Sequence, residues 1–388
     1  MDPLAPRDAQ DLCAIVADAA RTGERLEIRG GGSKAAIGAP RDLPVVSMAA
    51  IAGVVDYDPA ELVLTVRPGT PLAQIEALVA TQNQMLAFEP FDHGAIFGDQ
   101  PGAATIGGVV AAGVAGSRRV TAGGARDHLL GFTAVSGRGE VFVAGAKVVK
   151  NVTGYDLPKL MAGSWGRLGA MTELTLKVLP RPRMTVTIVA KGLDPRAAHA
   201  AMACALGCNA DVSAAGHLMR GITLLRVAGF APSVEARCAA LPHHLRDHCG
   251  LQRMDEAEAA PLWREAATGA GLAGHVLWRV HVAPARASDV IARLAPLAPA
   301  WSMDWGGGLL WLALDSHGTD VRQAAIAAGG EATLVRAPAE MRCVVPAFQP
   351  RAGGVAALEQ RVRRAFDPAG VFETGRFLGE AHADQLRA

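Results

Sequence analysis

The sequence predicts an α+β fold, and three observations carry the prediction. Short runs of alternating apolar and polar residues read as strands, two longer stretches hold apolar residues at helical spacing, and glycine gathers in clusters between them. Arg7 to Arg21 places Leu12, Ile15, Val16 and Ala19 on one face of a helix, with Gly23 beyond it as a cap. "RLEIRG" (25–30) alternates like a strand, and "LPVVSM" (43–48), "GVVDYD" (53–58) and "ELVLTVRPG" (61–69) follow as further short strands, the last two joined by the turn "DPAE". In "TPLAQIEALVATQ" Thr70 stands where an N-cap is expected and Pro71 at the first helical position, with Leu72, Ile75, Leu78 and Val79 on one face. "HLLGFTAVSGRGEVFVAG" predicts a hairpin turning at 137–139. After it come a short helix, a Gly-Ser-Trp-Gly turn, a strand over 171–178, and the punctuation "PRPR" at 180–183.

At 388 residues the chain has room for two domains, or for one domain with an insertion. A charged fraction of 19% and a net charge of +1 leave no electrostatic footprint for nucleic acid or an anionic membrane. Acidic residues at the start of "MDPLAPRDAQ" argue against a secretory leader. The most membrane-like stretch, "TIGGVVAAGVAG" (105–116), is shorter than the roughly 20 residues a spanning helix needs, so no transmembrane segment is expected. Six cysteines (13, 204, 208, 238, 249, 343) without CxxC pairs fit neither a disulfide scaffold nor an iron–sulfur site, and point to reduced thiols and a cytoplasmic protein. His244, His248 and Cys249 lack a third ligand at a familiar spacing and read as the polar face of a helix, so no metal is expected.

Gly30-x-Gly32-x-x-Ala35 formally satisfies the dinucleotide fingerprint of a Rossmann fold. Its context does not, because Gly38, Pro40 and Pro44 interrupt any helix after Ser33 and no acidic residue stands about 20 positions on. What remains is a glycine loop after a strand, whose successive N–H groups form an anion-binding nest, with the Ser33 hydroxyl and the Lys34 charge beside it. A second glycine-rich region, 97–145, removes side chains where backbone must lie against a large flat partner or against itself.

Five collinear stretches carry a family resemblance: "RGGGSK", "LVLTVRPGTPLAQIEALVATQNQMLAFEP", "TIGGVVAAGVAGSRR", "RDHLLG" and "VKNVTGYDLPKLMAGSWGRLGAMTELTLKVLPRPR". Together they resemble the FAD-binding domain of the vanillyl-alcohol-oxidase or PCMH type, and more closely the FAD-binding subunits of bacterial glycolate oxidase. "RRAFDPAGVFETGRF" (363–377) is similar to the C-terminal signature of that family, with Glu373-Thr374 where relatives commonly carry Asn-Pro. The resemblance implies two α+β subdomains clamping an extended FAD over residues 1–183, an inserted α+β cap over 184–345, and a C-terminal segment, 346–388, returning to the flavin domain. It implies that Arg29, Gly30, Gly31, Gly32, Ser33 and Lys34 wrap the pyrophosphate, and that Pro68 and Gly69 near the adenine half. It further implies that Thr105, Ile106, Gly107, Gly108, Gly113, Gly116 and Ser117 line pyrophosphate and ring, and that Gly166, Gly169 and Met171 press on the far side. Ser33 and Lys34 stand where relatives with covalent flavin often carry histidine, so the FAD is expected to be non-covalent.

Oxidation of a 2-hydroxy acid needs a base for the hydroxyl proton, a hydride acceptor, and a cation for the carboxylate. His93 is the candidate base, Arg118 with Arg119 a candidate anion partner, and Arg376 a charge near the flavin ring. "HVLWRVHV" (275–282) and "DWGGGLLWLAL" (304–314) predict cap strands with Trp278, Trp305 and Trp311 in the core and Arg279 as a further substrate candidate. The function implied is the FAD-binding subunit of a complex oxidising glycolate to glyoxylate, with a larger flavin subunit and an iron–sulfur subunit as partners and any membrane association made through them. The alternative is a non-catalytic assembly or electron-relay subunit. An independent flavoenzyme for another 2-hydroxy acid, such as D-lactate, has the weakest support.

Overall fold

The computed structural model describes residues 2–99, 102–145, 154–245, 250–315 and 320–377. The first helix, Ala9–Thr22, starts at Asp8, whose carboxylate accepts the N–H groups of Gln10 and Asp11, and stops at Gly23 in the left-handed conformation. Its apolar face, Leu12, Val16 and Ala19, packs on Leu26, Val46 and Met48. Glu27–Arg29 and Val45–Ser47 pair in parallel, and the chain between them turns without forming a helix. A Rossmann unit is absent for the reason visible in the sequence, since a helix cannot propagate through Gly38 and Pro40.

An antiparallel five-stranded sheet follows, in the spatial order Val54–Asp58, Val63–Val66, Ala170–Lys177, Leu129–Val135, Val141–Gly145. The helices Leu72–Ala80 and Ile106–Ala112 cover it, burying Ile75, Val79, Ile106, Val109 and Val110 against Leu64, Val66, Phe132 and Leu174. Thr70 is not the N-cap that its position predicts. Pro71 occupies that place without a side-chain bond, and the Thr70 hydroxyl instead donates to the carbonyls of Arg67 and Gly53 and accepts from the Gly53 N–H. A completely buried hydroxyl needs partners, and the neighbouring strand ends offer better ones than the helix does. The first residues of the stretch quoted from Val149, up to Thr153, lie outside the described residues.

Beyond Arg183 the chain builds an eight-stranded sheet in two halves. Met184–Lys191, Val212–Leu218, Ile222–Gly229 and Leu251–Met254 form one, with helices Pro195–Gly207 and Ala231–His244. Val276–His281, Ala300–Asp304, Leu309–Leu314 and Glu331–Arg336 form the other, with helices Ala287–Leu294 and Asp320–Ala327. Each half runs β-α-β-β-α-β, and the halves meet edge to edge where His217 and Leu218 pair with Met303 and Ser302. In sheet order the second half mirrors the first, an internal repeat that composition does not reveal. These four helices lie on one face, over Trp278, Val280, Leu310 and Leu312, while helix Glu256–Thr268 packs on the opposite face of the first half, over Val189, Ala214 and Leu224. The other face of the second half, with Leu277, Trp305, Leu309 and Trp311, packs on Ile37, Ile96 and Ala115 of the first part of the chain. Trp278, Trp305 and Trp311 are all buried.

The chain then returns. Helix Gly353–Phe366 sets Phe366 against Phe142, and the Asp367 carboxylate accepts the N–H groups of Val371 and Phe372 while Leu26 donates to the Val371 carbonyl. No helix among the described residues is long and apolar enough to cross a membrane.

Candidate functional site

The glycine loop at the end of strand Glu27–Arg29 forms one wall of a cleft of about 760 Å³. Fourteen of the sequence-predicted residues line it: Arg29, Gly30, Gly31, Gly32, Ser33, Lys34, Pro68, Thr105, Gly107, Gly108, Gly166, Gly169, Met171 and Arg376. Three segments far apart in sequence are drawn together by contacts that only glycine permits. A Cβ on Gly31 would lie 1.6 Å from the Ala103 carbonyl oxygen, one on Gly30 2.2 Å from Thr105 Oγ1, and one on Gly107 2.5 Å from Pro68 Cβ. Bare backbone at these positions therefore serves loop-on-loop packing, and the absent side chains point away from the cleft toward the neighbouring loop. Gly32 differs: its φ of +83° demands glycine while its surroundings leave room. On the far wall Trp165 and Gly166 have positive φ, and the Trp165 N–H donates to the Ala111 carbonyl.

The cleft is cationic. Lys34 is buried, and its ammonium has the Ser33 hydroxyl at 3.3 Å. Burial pulls its pKa down to about 8, with Asp92 opposing and Arg376 adding to the fall. Asp92 is itself committed to the N–H groups of Gly94, Gly102 and Ala104. Arg376 donates to the carbonyls of Lys34 and Ile37 and lies 5.1 Å over the Trp165 ring; burial, reinforced by Arg41, lowers its pKa to about 9. Glu27 is the acid among the lining residues, and Arg41 at 2.6 Å together with Arg29 neutralises it.

A second cavity, about 490 Å³, adjoins the first and shares Ala112 and Trp165 with it. It lies between the two parts of the chain, lined by Phe91, His93 and Val114 on one side and Arg279, Trp311 and Thr333 on the other. His93 stacks on Phe91 with centroids 4.7 Å apart, and among the described residues its buried Nδ1 has no partner. Burial and the positive charges of Lys34 and Arg279 hold its pKa well below the usual imidazole value.

The other predicted residues lie elsewhere. Gly69 donates to the Ile51 carbonyl against a tight bend, Ile106 is in the core, and Gly113 closes the helix Ile106–Ala112 at φ 64°. Gly116, Ser117 and Arg118 line a different cavity, with Glu89, Arg226 and Trp263. The Gly116 carbonyl accepts the Trp305 indole N–H at 3.0 Å, and the Ser117 hydroxyl donates to Asp304 at 2.6 Å. Arg118 is paired with Glu89 at 3.1 Å, and Arg226 reaches the same carboxylate at 2.8 Å. Sequence reasoning missed Glu27, Ile28, Ala35, Met48, Ala111, Ala112, Trp165 and Ala170 as cleft residues. Trp165, inside the Gly-Ser-Trp-Gly turn, and Ala35, at the end of the glycine fingerprint, carried a local signal. His244 bonds Asn209 at 2.9 Å, and His248 and Cys249 lie outside the described residues.

Residues 4–145 match the family described as an FAD binding domain. Over 355 residues the chain is 34% identical to glycolate oxidase subunit GlcE of Escherichia coli, covering 92% of this chain and 93% of that one. The chain belongs to the GlcE family. A D-lactate dehydrogenase of Anaerostipes hadrus is 35% identical over 145 residues, 37% of this chain and 29% of the relative. A solved structure of alkyldihydroxyacetonephosphate synthase superposes with a TM-score of 0.63 at 14% identity, over 95% of this chain and 75% of that one, a likeness of fold.

The cofactor of this GlcE-family chain is FAD, and the residues present fit it. A buried ammonium with one hydroxyl partner, beside the bare main chain of 30–33 and 107–108, is an unfinished anion site. Lys34, Ser33 and those backbone groups would hold the pyrophosphate.

Proposed function

We propose that this chain is the FAD-binding subunit of a glycolate-oxidase type complex and takes part in FAD-linked oxidation of a 2-hydroxy acid to the 2-oxo acid, with glycolate the substrate. One observation carries the reading: similarity to GlcE runs through both halves of the chain, so it includes the face of the second half that closes over the cleft. Lys34, with the loops at 29–34 and 105–108, binds the pyrophosphate. His93, neutral because it is buried among positive charges, accepts the proton of the substrate hydroxyl. Bound FAD supplies the acceptor for the hydride leaving the substrate Cα. Arg376 contributes positive charge at the ring end of the cleft. Residues 184–345 act as the cap over this site and 346–388 complete the flavin-binding part. With Ser33 and Lys34 in the first glycine loop the FAD is held non-covalently. A larger flavin subunit and an iron–sulfur subunit receive the electrons, and any attachment of this cytoplasmic chain to the membrane is theirs.

The test is the visible spectrum of the chain expressed alone, before and after anaerobic glycolate. Bleaching of the flavin bands is expected. A yellow spectrum that glycolate leaves unchanged replaces the oxidising role with electron relay, and a colourless chain removes the cofactor assignment.

A further inference from the structure

His93 serves the substrate hydroxyl, and the substrate carboxylate needs a cationic partner of its own. We propose that the cavity between the two halves of the chain is the pocket of a monocarboxylic 2-hydroxy acid, with Arg279 holding the carboxylate. That the ligand bears a 2-hydroxyl rests on the oxidase reading; the anion subsite rests on geometry.

Strand Val276–His281 alternates strictly. Val276, Trp278 and Val280 face the helices, so Leu277, Arg279 and His281 must face the first part of the chain. The Arg279 guanidinium lies 5.3 Å over Trp305 and 5.9 Å over Trp311, and among the described residues it has no hydrogen bond or ion pair. The acids that act on it most strongly are already engaged. Glu331 is bound to Arg351 at 2.5 Å, and Asp304 accepts the Ser117 hydroxyl at 2.6 Å and the Trp305 N–H at 2.7 Å. Burial lowers the Arg279 pKa only to about 10, so it keeps its charge at neutral pH. An arginine without a counter-ion, aimed into a cavity whose opposite wall carries an unpartnered imidazole nitrogen, matches the two polar ends of a 2-hydroxy carboxylate.

The rest of the lining decides the class of acid. Val114, Ala115, Val335 and Phe348 are apolar, and Arg279 is the charged side chain among the described lining residues apart from neutral His93. A second carboxylate would be buried there without a partner, its desolvation uncompensated. Glycolate and D-lactate therefore fit, and 2-hydroxyglutarate does not.

The experiment uses the full FAD-loaded chain, reduced beforehand with dithionite so that no turnover occurs, and equilibrium dialysis against radiolabelled glycolate. Wild type is expected to bind saturably, with D-lactate competing, 2-hydroxyglutarate failing to compete, and glycolamide at least ~10-fold weaker than glycolate for want of the charge. Arg279→Gln is expected to weaken glycolate binding by about 10- to 100-fold, and Arg279→Lys by less, both with full FAD content. Unchanged binding in Arg279→Gln overturns the subsite, as does glycolamide binding as tightly as glycolate, a comparison that needs no variant. Effective competition by 2-hydroxyglutarate overturns the monocarboxylate assignment, and absence of glycolate binding to wild type overturns the pocket. Glycolate that bleaches the oxidised flavin while Arg279→Gln binds it normally removes the pocket and keeps the oxidase reading. Glycolate bound through Arg279 without bleaching does the reverse.

Discussion

Replacing Lys34 with methionine separates the stability of the empty chain from its affinity for the cofactor. Burial drops the ammonium from its ordinary 10.5 to about 8. A difference of that size corresponds to about 3 kcal/mol of destabilisation while both states are protonated. Because the folded pKa lies below the unfolded one, the unfolded chain binds more protons between pH 8 and 10.5, so the penalty is complete at pH 7 and fades as pH rises through that window. Methionine keeps the stem and removes the charge, so the apo variant is expected to melt higher than the apo wild type at pH 7. Its FAD affinity should fall by at least ~10-fold, the worth of one charge-assisted hydrogen bond to phosphate. Pyrophosphate restores the ammonium, so wild-type FAD affinity should decline above pH 8, by up to about tenfold per pH unit, and that decline should vanish in the variant. Melting of the apo chains and quenching of FAD fluorescence across pH 7 to 10 measure both. A Lys34→Met chain with wild-type FAD affinity and the wild-type pH slope would show that this ammonium does not face the phosphates.

Two further perturbations test the packing around the cleft. Gly31→Ala must push the first glycine loop off Ala103, since its Cβ would sit 1.6 Å from a carbonyl oxygen, and should release FAD on gel filtration, whereas Gly32→Ala has room and only the left-handed strain of about 1–2 kcal/mol, so it should retain FAD at a lower melting temperature; equal retention by both variants refutes the loop-on-loop account. Burial lifts Asp304 to about 7 against the opposing hydrogen bonds of Ser117 and the Trp305 N–H, so the native chain keeps a proton that the unfolded chain loses, and stability should fall as pH rises from about 4 to about 7. Asp304→Asn should flatten that part of the melting-temperature profile, and an unchanged slope places the titration elsewhere.

Local signals read well wherever a segment's own residues decide its shape. Asp8 and Gly23 bracket a helix by capping chemistry, alternation marks Ala170–Lys177 as a strand, and Gly38 with Pro40 forbids a Rossmann helix whatever surrounds it. Thr70 shows where such reading fails, because several partners compete for one hydroxyl and distance decides among them.

By itself the sequence determined the strand–glycine-loop–strand start, the helices that cover it, the family, and, through the family resemblance, the positions of Arg29 to Lys34 and of Gly166, Gly169 and Met171 on the cleft. All of these follow from spacing, turn chemistry and collinear motifs. Only the tertiary structure decided that Gly30 and Gly31 are kept bare by Thr105 and Ala103, that Arg118 is taken up by Glu89, and that Arg279 faces the cavity opposite His93 with no ion pair among the described residues. The physical reason is the same in each case: whether a group is spent on a neighbour or available to a ligand depends on residues tens to hundreds of positions away, and folding alone sets those distances.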